Sequence, residues 1–263
     1  MTHSAISDRS LDHVIKSPPG DRELEFIRDI APEDAMMKMA TPQAYYRIGL
    51  DALAYIRLAV QVAGADEPRS ILDLPSGYGR VLRMLKAAFP DADLTACDID
   101  RAAVDFCAET FGAIPAYSTE DPSDLRLVGD YDLIWCGSLL THLEVGGWRR
   151  FLPWFERHLG EDGLLVFTTH GRWVADKVRS GRRKFAVADL DELVAAYERD
   201  GFGYQPFSDL ERNSGISLSS PAWVCRELER CPNLKLIMYT EQGWSGFQDA
   251  VTCVRRARAA TAS

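Results

Sequence analysis

Apolar and polar positions along the chain repeat with two different periods, and these divide it into elements. Thr41 is suited to cap a helix, and Pro42 fits its first turn. Tyr46, Leu50, Leu53, Ile56 and Val60 then recur at helical spacing, predicting a helix over 41–63. Beyond it, short apolar runs alternate with amphipathic ones. Strands are predicted at 70–74, 94–99, 114–118, 131–138 and 164–170, and helices at 79–89, 101–111 and, despite Pro153, 147–159. The strands are apolar almost throughout, as when a parallel sheet is covered on both faces. The alternation predicts an α/β fold with a Rossmann-like, doubly wound sheet. After His170 the pattern changes. Helices are expected at 189–200 and 220–231, and strands at 234–240 and 249–256 that pair antiparallel across a short loop. The expected organisation is one domain over 23–263, with a helical cap at 23–68 and a lid insertion at 171–218. A polar arm over 1–22 without fixed structure precedes it, and the last seven residues should fray.

Composition narrows the function classes. The chain has 263 residues, 46% of them hydrophobic, enough for one large core. No uncharged run reaches the roughly 18 residues of a membrane span, and the polar start lacks a secretory apolar segment, so a cytoplasmic protein off the membrane is expected. None of the six cysteines forms a C-x-x-C pair, so they read as reduced core residues. A net charge of −9 disfavours nucleic acid. The one compact basic run, Arg179 to Lys184, reads as a solvated loop. A small-molecule substrate is expected, with a homodimer as an allowed assembly.

Candidate chemistry gathers at "ILDLPSGYGR" (71–80). Gly77 and Gly79 sit between the first sheet strand and its helix, where ligands bind beyond the carboxyl ends of strands. Asp98, 19 residues after Gly79, ends the second strand and could accept both hydroxyls of a ribose. A nicotinamide loop, G-x-G-x-x-G, would need glycine where Leu82 stands.

In these motifs the chain resembles class I S-adenosylmethionine (SAM)-dependent methyltransferases. The family's D/E-x-G-x-G-x-G falls on Asp73 to Gly79, its ribose acid on Asp98 and its adenine acid on Asp121. Its fourth-strand motif falls on "YDLIWCGSLLTHL" and its fifth on "LGEDGLLVF". "NSGISLSSPAWV" and "GWSGFQDAV" resemble a bacterial small-molecule subgroup. The resemblance implies SAM as cofactor, held by Asp73, Pro75, Gly77, Gly79, Arg80, Asp98, Ile99, Asp121, Ser138 and Tyr46. Two departures stand out. Pro75 replaces the first family glycine, and Pro122, which has no N–H, follows the adenine acid. Pro75→Gly is therefore expected to be tolerated and Gly77→Val not.

His142 and His170, following the fourth strand and ending the fifth, are the expected catalytic bases; His158, His3 and His13 are not. No carboxylate cluster stands at the substrate end, so no metal is expected. Trp173, Tyr204, Phe207, Trp223, Trp244 and Phe247 could line an acceptor pocket or pack the lid. The expected activity is methyl transfer to an oxygen or nitrogen of a small polar metabolite. The alternatives are a SAM-binding protein without transfer and a nicotinamide-dependent oxidoreductase.

Overall fold

The computed structural model describes residues 24–38, 40–127, 129–208 and 214–256. The expected arm over 1–22, with His3 and His13, and the tail after 256 lie outside the described residues.

A short helix α1 (Ala35–Lys38) precedes α2 (Pro42–Ala63). Thr41 caps α2 by accepting from the Ala44 amide at 3.3 Å, and Gly64 ends it in the left-handed conformation, as such residues do at helix ends. The alternating part follows: β1 (Ser70–Asp73), α3 (Leu82–Ala88), β2 (Asp93–Asp98), α4 (Arg101–Phe111), β3 (Ile114–Tyr117), β4 (Tyr131–Cys136), α5 (Val145–His158) and β5 (Leu159–Thr169). Then come α6 (Arg172–Arg179), α7 (Leu190–Asp200), β6 (Phe202–Pro206), β7 (Gly215–Ser219), α8 (Pro221–Leu228), β8 (Leu234–Trp244) and β9 (Gln248–Arg255).

Seven strands form one sheet in the order β3-β2-β1-β4-β5-β9-β8. The strands from β3 to β5 run parallel, β9 pairs antiparallel with β5, and β8 antiparallel with β9. Neighbouring residues Ile71 and Leu72 of β1 feed opposite faces. Ile71 packs with Ile56, Leu85 and Trp244, and Leu72 with Trp148, Phe155 and Phe167. The doubly wound expectation and the closing antiparallel pair are both present. All six cysteines are unpaired and five are buried. Among the described residues, no helix is long and apolar enough to cross a membrane.

Several bounds differ from the sequence pattern. The helix expected from 79 begins at Leu82, because Gly79 takes φ +75° and delays the helical turn. The fourth strand stops at Cys136, two residues early, before Ser138 takes φ +66°. β5 begins at Leu159, because Leu159 already pairs with Tyr131 before a register shift. The segment after β5 holds more than the one helix expected there. It also contains α6 and a two-stranded sheet, β6 with β7, paired from Phe202↔Ser219 to Pro206↔Gly215.

Candidate active site

The chain reverses direction across the sheet between β1 and β4, and the loops at that carboxyl end meet there. Asp73 ends β1 only 1% exposed, and neither of its carboxylate oxygens has a hydrogen-bond partner. Burial drives its pKa well up; nearby Asp98 adds to this, while Arg80 opposes it. The Leu82 amide at the start of α3 also acts on Asp73, short of hydrogen-bond geometry. A buried carboxylate left without donors is costly.

Around it the loop is fixed from the protein side. The Leu74–Pro75 bond is cis. The Ser76 amide donates to the Cys97 carbonyl at 2.9 Å. Asp98 accepts the Gly77 amide on one oxygen (2.8 Å) and the Asp100 amide on the other (2.9 Å). The two glycines do different work. A side chain on Gly79 would meet the Phe111 ring at 2.5 Å, whereas one on Gly77 would meet nothing within 4 Å. Gly77, at φ +47°, thus keeps the open side of the loop clear.

The other residues expected to hold the cofactor lie as follows. Arg80 places its guanidinium 5.9 Å from the Tyr45 ring and 5.6 Å from that of Trp244. Ile99, just past β2, is exposed. Asp121 caps a short turn at Pro122–Asp124, accepting the Ser123 amide at 2.9 Å, which holds its pKa down. Ser138 donates its amide to Thr168 Oγ1 (2.8 Å), and Gln248 Nε2 donates to Ser138 Oγ (2.9 Å), tying the ends of β4, β5 and β9 together. Tyr46 turns toward residues 24–28 instead. Its hydroxyl donates to the Arg28 carbonyl at 2.6 Å, and its neighbour Tyr45 is the ring beside Arg80.

His142 and His170 do come together, with ring centroids 6.5 Å apart. Nδ1 of His142 lies 2.8 Å from the Gly215 carbonyl, and Nδ1 of His170 lies 3.2 Å from the Ser217 carbonyl. A carbonyl only accepts, so each Nδ1 carries the proton and each Nε2 keeps its lone pair. Burial lowers both pKa values. His142, half-buried and partly sustained by the Gly215 carbonyl, is lowered less sharply, while His170, 3% exposed, falls to about 3. Half-buried rings surround the pair: Phe207 against His142, and Phe185 and Phe247 against His170. Trp173 packs on Phe247. Tyr204 and Trp223 instead pack with the core under the sheet, and Trp244 meets Trp135 on its other face. His158 bonds the Trp154 carbonyl within its own helix.

The strand order, the loop on β1 and the acid on β2 coincide with what comparison finds. The model of a methyltransferase domain matches residues 72–165, the stretch that runs from β1 into β5. Residues 72–165 are a methyltransferase domain.

The likeness in fold reaches further than this domain match. A SAM-dependent methyltransferase from Clostridium acetobutylicum superposes with a TM-score of 0.56 at 14% identity, covering 79% of this chain and 92% of that one. The DhpI–SAH complex gives 0.53 at 16% identity, covering 86% and 92%. In sequence, a malonyl-[acyl-carrier protein] O-methyltransferase of Laribacter hongkongensis is 30% identical over 166 residues, 55% of this chain and 54% of that protein. The chain spans about half the length of the curated relatives it matches. The methyltransferase domain accounts for β1 to β5. Both carbonyls that hold the histidines come from outside it, from β7.

Sequence reasoning missed Arg83 and Asp34. Arg83 is 1% exposed and donates to the carbonyls of Gly79 (3.0 Å), Tyr78 (3.3 Å), Ile27 (3.1 Å) and Asp29 (2.7 Å). Asp34 accepts the Tyr45 hydroxyl at 2.7 Å. An arginine two positions into an amphipathic helix looks like any solvated charge, and only the fold reveals its partners.

Proposed function

We propose that the protein transfers the methyl group of SAM to an oxygen or nitrogen of a small acceptor molecule, with His142 as the base. The observation that carries the cofactor reading is Asp73: a buried carboxylate with two unpartnered oxygens, at the end of the strand that leads into the loop Gly77 keeps open. It fits a ligand that brings its own cationic or N–H donors. Asp98 retains a free lone pair on each oxygen for ribose hydroxyls. Ile99 offers an apolar face for adenine, with Asp121 at its edge. Arg80 is suited to the cofactor's carboxylate, in a pocket walled by Tyr45 and Trp244.

When bound, SAM supplies a methyl carbon attached to a sulfonium. The chain's own part is to hold the acceptor in line and to take its proton. Holding the reactants in line is worth roughly 7–11 kcal/mol in favourable cases. Nε2 of His142 would take up the proton that the acceptor's oxygen or nitrogen gives up on methylation. His170, with a pKa near 3, is too weak a base for that step at neutral pH, and its Nε2 instead orients the acceptor by accepting a hydrogen bond. The curated relatives are named O-methyltransferases, which favours oxygen over nitrogen.

Calorimetry with SAM, followed by methyl release from labelled SAM across a panel of hydroxylated metabolites, tests this reading. His142→Ala should lower kcat on any active acceptor by about 10²-fold with SAM affinity kept. Unchanged kcat removes His142 from the role. Tight SAM binding without turnover on any acceptor would make this a binding protein. Nicotinamide binding with no SAM affinity would overturn the reading.

A further inference from the structure

The basic run 179–184 is exposed throughout, as a solvated loop would be, yet two of its arginines are held in place. Arg179 is ion-paired to Glu198 (2.8 Å) and Asp176 (3.2 Å). After it the backbone folds back on α6. Gly181 takes φ +69°, and the amides of Arg182 and Arg183 both donate to the Lys177 carbonyl, at 2.9 and 3.0 Å. This places Arg183 over the rings beside the histidines. Its guanidinium carbon is 4.5 Å from the Phe247 centroid and 5.2 Å from that of Phe185, the two rings that flank His170. Lys177 lies 4.8 Å over Trp173, which itself packs on Phe247. Among the described residues, neither cation forms an ion pair. In a chain of net charge −9, two such cations stand together at the rim of the aromatic site.

We propose that this rim is an anion subsite of the acceptor pocket: the molecule methylated carries a carboxylate or phosphate that pairs with Arg183, alongside an apolar or aromatic body. The proposal rests on the transfer reading and specifies its acceptor. A guanidinium stacked on aromatic rings is held in place, yet keeps its N–H edge free for a bidentate oxyanion. The phenyl walls of Phe185, Phe207 and Phe247 accept the apolar body. They leave the acceptor's nucleophile facing the Nε2 atoms of His142 and His170. Lys177 adds charge at the rim without the planar fork, so Arg183 sets the discrimination.

The test uses the full chain with S-adenosylhomocysteine present, and compares binding of benzoate, phenyl phosphate and benzyl alcohol by calorimetry. At least one anion should bind tenfold or more tightly than the alcohol. The stronger of the two anions identifies whether the natural group is a carboxylate or a phosphate. Arg183→Gln should erase the preference, and Arg182→Gln should keep it. Equal affinity for all three probes, or failure of both anions to bind, overturns the proposal. So does a preference that survives Arg183→Gln, or one lost equally in Arg182→Gln, which would mark a diffuse charge effect. S-adenosylhomocysteine is titrated separately. If it binds while the anions show no preference, only the anion subsite falls. If it fails to bind, the transfer reading falls, and the probe comparison without it still decides whether Arg183 reads anions.

Discussion

At Asp73 two demands on one residue conflict. Its unpartnered carboxylate weakens the ligand-free fold while standing ready for a ligand's donors. Asp73→Asn is therefore expected to raise the melting temperature of the ligand-free protein. It should weaken SAM binding about 10–100-fold, the cost of losing hydrogen bonds to a charged group. Gly77→Val should abolish binding in calorimetry, because a β-branched residue resists φ +47° and its side chain would enter the open side of the loop. The histidines carry a pH signature. His142 acts only when neutral, and burial puts its pKa below the ordinary value of about 6.5, so kcat should hold through neutrality and fall on an acid limb below that value. His170 has a folded pKa of about 3, and the unfolded chain binds its proton more readily. The stability this gives is full above about 6.5 and lost as pH falls from there toward 3. Urea unfolding should show about 2 kcal/mol lost between pH 7 and 5, and His170→Gln should flatten that slope.

Among elements, the β6–β7 pair matters most to the chemistry, and it was the least legible in the sequence. Gly215 begins β7, and a side chain there would strike the Gln205 carbonyl across the pair. Gly215→Ala should push β7 away and cost about 1–3 kcal/mol in denaturant unfolding, as overpacking does. If the Gly215 carbonyl fixes the His142 proton, the same change should also distort the acid limb of the kcat profile. A purely packing role would leave that limb unmoved. The alternating part was legible because each of its elements carries its own period: β1 and β4 are short runs built around Ile71–Leu72 and Leu133–Cys136, and Thr41 with Pro42 announces α2. The β6–β7 pair announces nothing. "FGYQP" and "GISLS" contain two glycines, a proline and small polar residues, which read as loop, and only their antiparallel register makes them strands. The site divides along the same line. Asp73, Gly77 and Asp98 were visible because loop and strand end lie at fixed spacing in the chain. The partners of His142 and His170 lie 73 and 47 residues away, where no local period reaches.

Across the whole molecule, Arg83 joins the start of the described chain to the cofactor loop. One guanidinium satisfies carbonyls at 27 and 29 and, on its other side, at 78 and 79. Arg83→Met should cost on the order of 3 kcal/mol in thermal or urea unfolding, because buried carbonyls lose a charged donor. Residues 24–38 should then become more open to limited proteolysis. The placement of the two histidine protons has a different reach. The polar groups proposed to hold SAM lie between 73 and 121, with Tyr45 and Trp244 walling Arg80, whereas the carbonyls that set the bases lie on β7. Transplanting 171–219 from a relative would therefore bring a new acceptor wall and, with it, new instructions for where His142 and His170 keep their protons. Such a chimera could bind SAM with unchanged affinity and still be inert. Its activity should return when the grafted strand keeps glycine at 215 and again presents carbonyls two residues apart to the two rings.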